Sequence, residues 1–268
     1  MKNLSFKNIR SFIGNLLPEK LQMRFVINLS SFFWFLRKYF LGVEINYPSN
    51  FKDNWNIIKG TSSQDIERNF SLYQIINLHN KIFNQKKTNI IEFGVDRGGS
   101  LRTICKFIKN NSEIYGLDSF GFFSSSLSQQ FTDYDPHYKH SNKEHFTNKR
   151  FEHFDFKEFE SSLNQDLNKK NCKLTLFKCL FPDSLTEDNY NLIKSKKYSL
   201  VHLDFDLYSP TLQAINLIIP RLEKNALVVL DDYNFINQDG IKTAVLDANL
   251  DLDSCLQNQS GQLIYLHN

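Results

Sequence analysis

The segment "YSLVHLDFDLYSP", residues 198–210, reads as a buried strand that runs out into charge. Four of its first six residues are apolar or aromatic, and two carboxylates, Asp204 and Asp206, follow with one Phe between them. In an open parallel sheet, ligands sit beyond the carboxyl ends of the strands, at the point where strand order reverses. Negative charge at such an exit stands where a ligand would be met. The question is whether the rest of the chain builds that sheet.

Upstream, "NIIEF" (89–93), "EIYGL" (113–117) and "KLTLFK" (173–178) have strand composition, and "ALVVL" (226–230) follows the opening segment as a fifth strand. Helical stretches separate them. "GSLRTICKFIK" places Leu101, Ile104, Cys105 and Ile108 at helical spacing. "EFESSLNQDL" (158–167) and "TLQAINLIIPRLE" (211–223) are also helical, the latter ended or kinked by Pro220. "DIERNFSLYQIINLHNKIF" (65–83) has the period of a helix leading into the first strand. Alternating strands and helices predict an α/β fold, a parallel sheet with helices on both faces. The terminal "DSCLQNQSGQLIYLHN" reads as two short strands around a Ser-Gly turn, an antiparallel hairpin at one edge that brings the strands to seven. In the order 3-2-1-4-5, strands one and four flank the crevice.

The motifs at those strand ends carry the chemistry. In "EFGVDRGGS" (92–100), Glu92 closes the first strand, and Gly94, Gly98 and Gly99 precede a helix. Glycines there let backbone approach a ligand, and the helix start presents free N–H groups. The spacing G-x-x-x-G-G is not the dinucleotide G-x-G-x-x-G, and no Gly-Lys-Ser/Thr follows. The pattern therefore favours S-adenosylmethionine over NAD or a nucleoside triphosphate. "GLDSF" sets Asp118 at the end of the second strand, able to accept from two ribose hydroxyls or, more plainly, to cap a turn. "VVLDDY" puts Asp231 and Asp232 beside Asp204. Three converging carboxylates repel unless a hard divalent cation such as Mg²⁺ joins them; solvated caps account for one such Asp easily and for three poorly. His202, two residues before Asp204, reads either as a substrate contact or as a buried, satisfied histidine.

Composition excludes several classes. With 41% hydrophobic and 23% charged residues over 268 positions, the chain is ordinary globular material. A net charge of +3 without a basic block gives no reason to expect nucleic acid. The four cysteines form no CxxC pair and read as reduced thiols of a cytoplasmic protein, and no secretory signal is visible. "FVINLSSFFWFLRKYFLG" (25–42) is too interrupted by polar residues to span a bilayer. It suits a core or homo-oligomer interface helix, or an amphipathic membrane-peripheral one. Residues 1–60 are thus an N-terminal helical extension, and 61–268 the ligand-binding domain. The irregular, aromatic and Ser-rich stretch within 119–150 reads as a substrate lid.

Together, "NIIEFGVDRGGS", "LDSF", "LFKCLFPDSL", "VHLDFDLYSPT" and "VVLDDYNFINQDGIKTAV" resemble the macrocin O-methyltransferase family over roughly residues 68–268. The resemblance implies a Rossmann-like class I methyltransferase fold, S-adenosylmethionine and Mg²⁺ as cofactors, and methylation of a hydroxyl on a sugar-containing small molecule. It implies that Glu92, Gly94, Val95, Gly98, Gly99 and Ser100 cradle the methionine part of the cofactor and that Asp118 with Ser119 holds the ribose. Phe181 and Asp183 would border the adenine, Asp204, Asp231 and Asp232 would ligate the metal, and Asp204 or Asp206 would take the proton. The sequence departs from the family after "DSF", where "GFFSSS" opens the lid. Two rival functions are a catechol-type methyltransferase and a non-catalytic nucleotide-binding module; the glycine spacing argues against a dehydrogenase.

Overall fold

The computed structural model describes residues 47–60, 66–84, 86–109, 111–121, 151, 153–168, 170–234, 239–258 and 260–268. Seven strands form one sheet: β1 (Thr88–Phe93), β2 (Ser112–Asp118), β3 (Lys173–Lys178), β4 (Tyr198–Leu203), β5 (Leu222–Leu230), β6 (Cys255–Gln257) and β7 (Leu263–Leu266). Seven α-helices are found among the described residues: α1 (Ser49–Ile58), α2 (Ile66–Ile82), α3 (Gly99–Phe107), α4 (Phe156–Leu167), α5 (Glu187–Lys194), α6 (Tyr208–Ile218) and α7 (Asp239–Asp247).

The strand order is β3-β2-β1-β4-β5-β7-β6. β1 pairs in parallel with both β2 and β4, so these three strands surround the crossover point. The terminal hairpin joins antiparallel to β5. Every residue of β4 is buried, and all but one of β1, as expected for central strands covered on both faces. The mostly parallel seven-stranded sheet read from the sequence is the sheet observed.

One boundary differs from the sequence pattern. The helical reading of 211–223 gives way at Ile218 to a short 3₁₀ turn, Ile219–Arg221, and β5 already begins at Leu222. Pro220 lacks the N–H an α-helix needs there, so the chain tightens and enters the strand four residues early.

Residues 49–268 form one compact unit. α1 belongs to it, although its sequence falls within the stretch assigned to an N-terminal extension. Phe51 of α1 is fully buried, with ring centroids 5.1 Å from Phe70, 5.3 Å from Tyr73 and 6.1 Å from Phe107. Emptying such a site removes both transfer free energy and packing. Phe51→Ala should therefore cost about 3–5 kcal/mol, read as a lower urea midpoint; a loss under about 1 kcal/mol would mean that α1 is only loosely attached.

α2 is held by polar contacts as much as by apolar ones. Asn69, His79 and Asn80 are all buried, and each has a partner. Thr103 Oγ1 donates to Asn69 Oδ1 at 3.0 Å, and His79 Nε2 meets Ser199 Oγ at 2.8 Å. Asn80 donates to the carbonyl of Phe107 and accepts from the N–H of Lys109, closing the end of α3. Buried polar groups paired in this way fix one orientation of α2 on the sheet. All four cysteines are free thiols, with Cys105 in the buried face of α3 as read.

The segment 25–42 and, beyond Gly121, the expected lid up to residue 150 lie outside the described residues. Among the described residues no helix is long and apolar enough to cross a membrane.

Candidate active site

The strand ends are stitched together beyond the sheet proper. The N–H of Asp204 donates to Phe93 O, that of Asp231 to Leu203 O, and that of Cys179 to Asp118 O, at 2.8–2.9 Å. These bonds extend the parallel ladder by one step, so each loop leaves from a fixed point at the carboxyl edge.

The glycine loop packs directly on the opening segment. Gly94 has φ +84°, and a Cβ there would collide with the Asp204 carbonyl oxygen. Gly98, at φ +87°, faces the Phe159 ring of α4 in the same way. Any side chain at either position would push the loop off its support. Val95 and Ser100 are buried, and Gly99 starts α3. The start of the glycine loop therefore lies directly against Asp204.

Asp118 ends β2, and its two oxygens are already oriented. Oδ2 accepts from the N–H of Asp96 at 2.8 Å, and Oδ1 from that of Phe120 at 2.7 Å, with Ser119 Oγ 3.3 Å away. Burial pushes its pKa up to about 6, against the pull of those two N–H groups. Each oxygen accepts from backbone on one side and keeps acceptor capacity for a further donor. Phe181 lies in the core, stacked 5.4 Å from Phe205 and edge-on to Phe93 at 5.1 Å; Asp183 is exposed. Phe205, between the two carboxylates, thus anchors their loop with its ring.

The structure gathers Asp204, Asp206 and Asp232, with one carboxylate oxygen of each within 4.8 Å of the others. β4 ends at Leu203, so strand alternation does not bring Asp206 alongside Asp204. A left-handed backbone at Asp206, φ 60°, does it instead. Asp231 is wholly buried: its Oδ1 accepts from Gln262 Nε2, and its Oδ2 from Arg68 Nη1 at 2.8 Å. Arg68 also reaches Asp232 Oδ1 at 2.8 Å. Glu92 lies beneath the loop, fully buried, with Oε1 2.8 Å from His202 Nδ1. His202 is likewise buried, and its Nε2 stands 3.7 Å from Asp231 Oδ1.

Burial raises the pKa of Asp204 well above the carboxylate range, and the charges of Asp231, Asp232 and Asp206 add to it. Burial and then the charge of Asp206 do the same to Asp232. Asp231 goes the other way. Burial alone would raise it, but the His202 ring, Arg68 and Gln262 outweigh burial and hold it low. Three carboxyl oxygens this close, two of their groups strongly opposed to ionising, have the spacing and charge that could hold a hard dication. Opposite oxygens around Mg²⁺ or Ca²⁺ stand about 4–5 Å apart.

Arg68 and Gln262 were not legible as site residues. Arg68 follows Glu67 near the start of a helix and reads as a surface pair; Gln262 sits in a hairpin whose turn gives no hint of an inward amide.

A sheet with its last strand inserted antiparallel beside β5, a glycine loop after β1 and an acid closing β2 define a class I methyltransferase. The chain belongs to the macrocin-O-methyltransferase (TylF) family, whose model matches residues 62–252, and it is an S-adenosylmethionine-dependent O-methyltransferase. Among curated proteins, none matches this chain. Among solved structures it is similar to the O-methyltransferase NovP, at 17% identity over 78% of this chain and 82% of that one, TM-score 0.53. It is also similar to the calicheamicin methyltransferase CalS11, at 16% identity over 82% and 87%, TM-score 0.46.

Proposed function

We propose that the protein methylates a hydroxyl of a sugar-containing small molecule with the help of Mg²⁺ held by Asp204, Asp206 and Asp232. The observation that carries this reading is the three-carboxylate cluster at the carboxyl edge, packed through the Asp204 carbonyl against Gly94 of the cofactor loop. The sugar acceptor rests on the family to which the chain belongs.

In this reading the glycine loop takes the methionine part of the cofactor, and Asp118 accepts from the ribose hydroxyls. The S–CH₃ bond breaks with its electron pair left on sulfur, an O–CH₃ bond forms, and the acceptor hydroxyl's proton passes to a carboxylate, Asp204 or Asp206. A bound dication supplies Lewis-acid stabilisation of the oxygen anion. The chain's own contribution is alignment of an in-line displacement, in which geometry accounts for much of the rate.

The decisive experiment is S-adenosylhomocysteine formation from S-adenosylmethionine over a panel of nucleotide sugars, glycosides and catechols, with Mg²⁺ or with chelator. Turnover of a sugar acceptor that chelator abolishes is the expected result. Faster turnover of catechols would overturn the sugar assignment, and equal rates in chelator would overturn the cation.

Asp118 gives a pH dependence. Its ionised form is the acceptor, so ligand affinity is level well above its pKa and falls as pH drops through about 6. S-adenosylhomocysteine should bind about tenfold more weakly at pH 5 than at pH 8 by calorimetry, and Asp118→Asn should flatten that profile at the weaker level.

A further inference from the structure

α2 brings a fixed positive charge to the edge of the carboxylate cluster. Arg68 Nη1 lies 2.8 Å from both Asp231 Oδ2 and Asp232 Oδ1, and its side chain is only 12% exposed. The helix is fastened around it. The neighbouring Asn69 is tied to Thr103 of α3, and Ser71 Oγ accepts from Asn258 Nδ2 in the terminal hairpin at 2.6 Å. The guanidinium is therefore held by the fold and is not the end of a wandering surface arm. Four carboxyl groups, Asp204, Asp206, Asp231 and Asp232, interact within this region. Among the described residues, the positive groups that face them from the packed elements are Arg68 and the His202 ring.

We infer that Arg68 is a built-in counter-ion of the metal site: it neutralises the Asp231–Asp232 pair when no dication is bound and sets how tightly one binds. The inference rests on the divalent-cation reading above. A fixed positive charge near a dication site repels the incoming ion, and the repulsion is strong where water is excluded. The same charge keeps the cation-free cluster from unfolding its own loop, because buried carboxylates without a partner are costly. Arg68 thus exchanges metal affinity for stability of the empty site. A purely structural strut between α2 and β5 would act differently: its loss would loosen the ligands and weaken metal binding.

The test uses the full chain after chelation, titrated with Mn²⁺ by calorimetry and melted with and without the ion. Arg68→Met should bind Mn²⁺ about tenfold or more tightly than wild type, and Arg68→Lys, which keeps the charge, should stay within about threefold. Without metal, Arg68→Met should melt lower than wild type, and saturating Mn²⁺ should close most of that gap. Adding Asp231→Asn should restore the cation-free melting temperature by removing the charge left over. If Arg68→Met does not fold alone, the same affinity comparison is made between Asp231→Asn and the double variant, where the tighter binding should persist. Equal or weaker Mn²⁺ binding without the arginine overturns the inference while leaving the cation site intact. Silence from wild type and variants alike overturns the inference and the cation reading together.

Discussion

Asp204→Asn should lower kcat by at least about a thousandfold, keep S-adenosylhomocysteine affinity within about tenfold, and raise the melting temperature of the metal-free protein. The three effects share one cause. Asp204 is a carboxyl forced up by burial and by the charges of Asp231, Asp232 and Asp206. A carboxyl whose pKa is higher folded than unfolded favours folding below its unfolded pKa, and that advantage disappears as pH rises through the folded value. At any pH well above its unfolded pKa the buried Asp204 therefore costs stability, and a neutral amide of the same shape does not. A gain of about 3 °C or more is expected for a unit of this size. In the wild type, excess Mg²⁺ should recover the same stability by mass action, whereas the Asn variant should gain little from the ion. Unchanged turnover would remove Asp204 from the chemistry. Lost turnover with a lower melting temperature would mean instead that the residue holds the loop.

The positions of the charges were readable, but not their directions. Asp118, Asp204, Asp231 and Asp232 follow strand-like runs, and a parallel sheet of order 3-2-1-4-5 places such residues on one edge wherever its strands end. That logic needs only composition and the rule that ligands gather there. Which oxygen faces the crevice depends on single backbone angles and distant partners. Period-two alternation would set Asp206 on the face of Asp204 only if the strand ran that far; β4 ends at Leu203, and the two meet with Asp206 in a left-handed backbone. Asp231 is turned inward by Gln262 and Arg68, 31 and 163 residues away along the chain. Neither contact leaves a local mark in the sequence. The early start of β5 was missed for a simpler reason: Leu222 and Glu223 continue a helical period that Pro220 had already ended.

Glu92 offers the sharpest test of that distinction, because its motif suggests a cofactor ligand and its surroundings a buried ion pair. Register sets Glu92 of β1 directly beside His202 of β4, and their side chains meet at 2.8 Å with no exposure to solvent. Burial would lower the His202 pKa, but Asp231 and Glu92 outweigh it and hold the ring's affinity for a proton well above the ordinary value. Glu92 Oε2 is buried and has no hydrogen-bond partner among the described residues, so among these the carboxylate depends on that one imidazole. Breaking a buried pair leaves an uncompensated charge, whereas replacing both members with apolar groups is often nearly neutral. Glu92→Leu should thus lose about 3–5 kcal/mol of unfolding free energy in chelator. Glu92→Leu with His202→Leu should regain at least half of the loss, the shortfall coming from Asp231, which gives up the ring beside it. A folded double variant should bind S-adenosylhomocysteine within about threefold of wild type, since the pair lies under the loop and not in it. A drop of tenfold or more in that affinity, with stability regained, would place the Glu92 carboxylate against the cofactor. An equal loss of stability in the single and double variants would mean that the cost does not come from a His202 charge left without its partner.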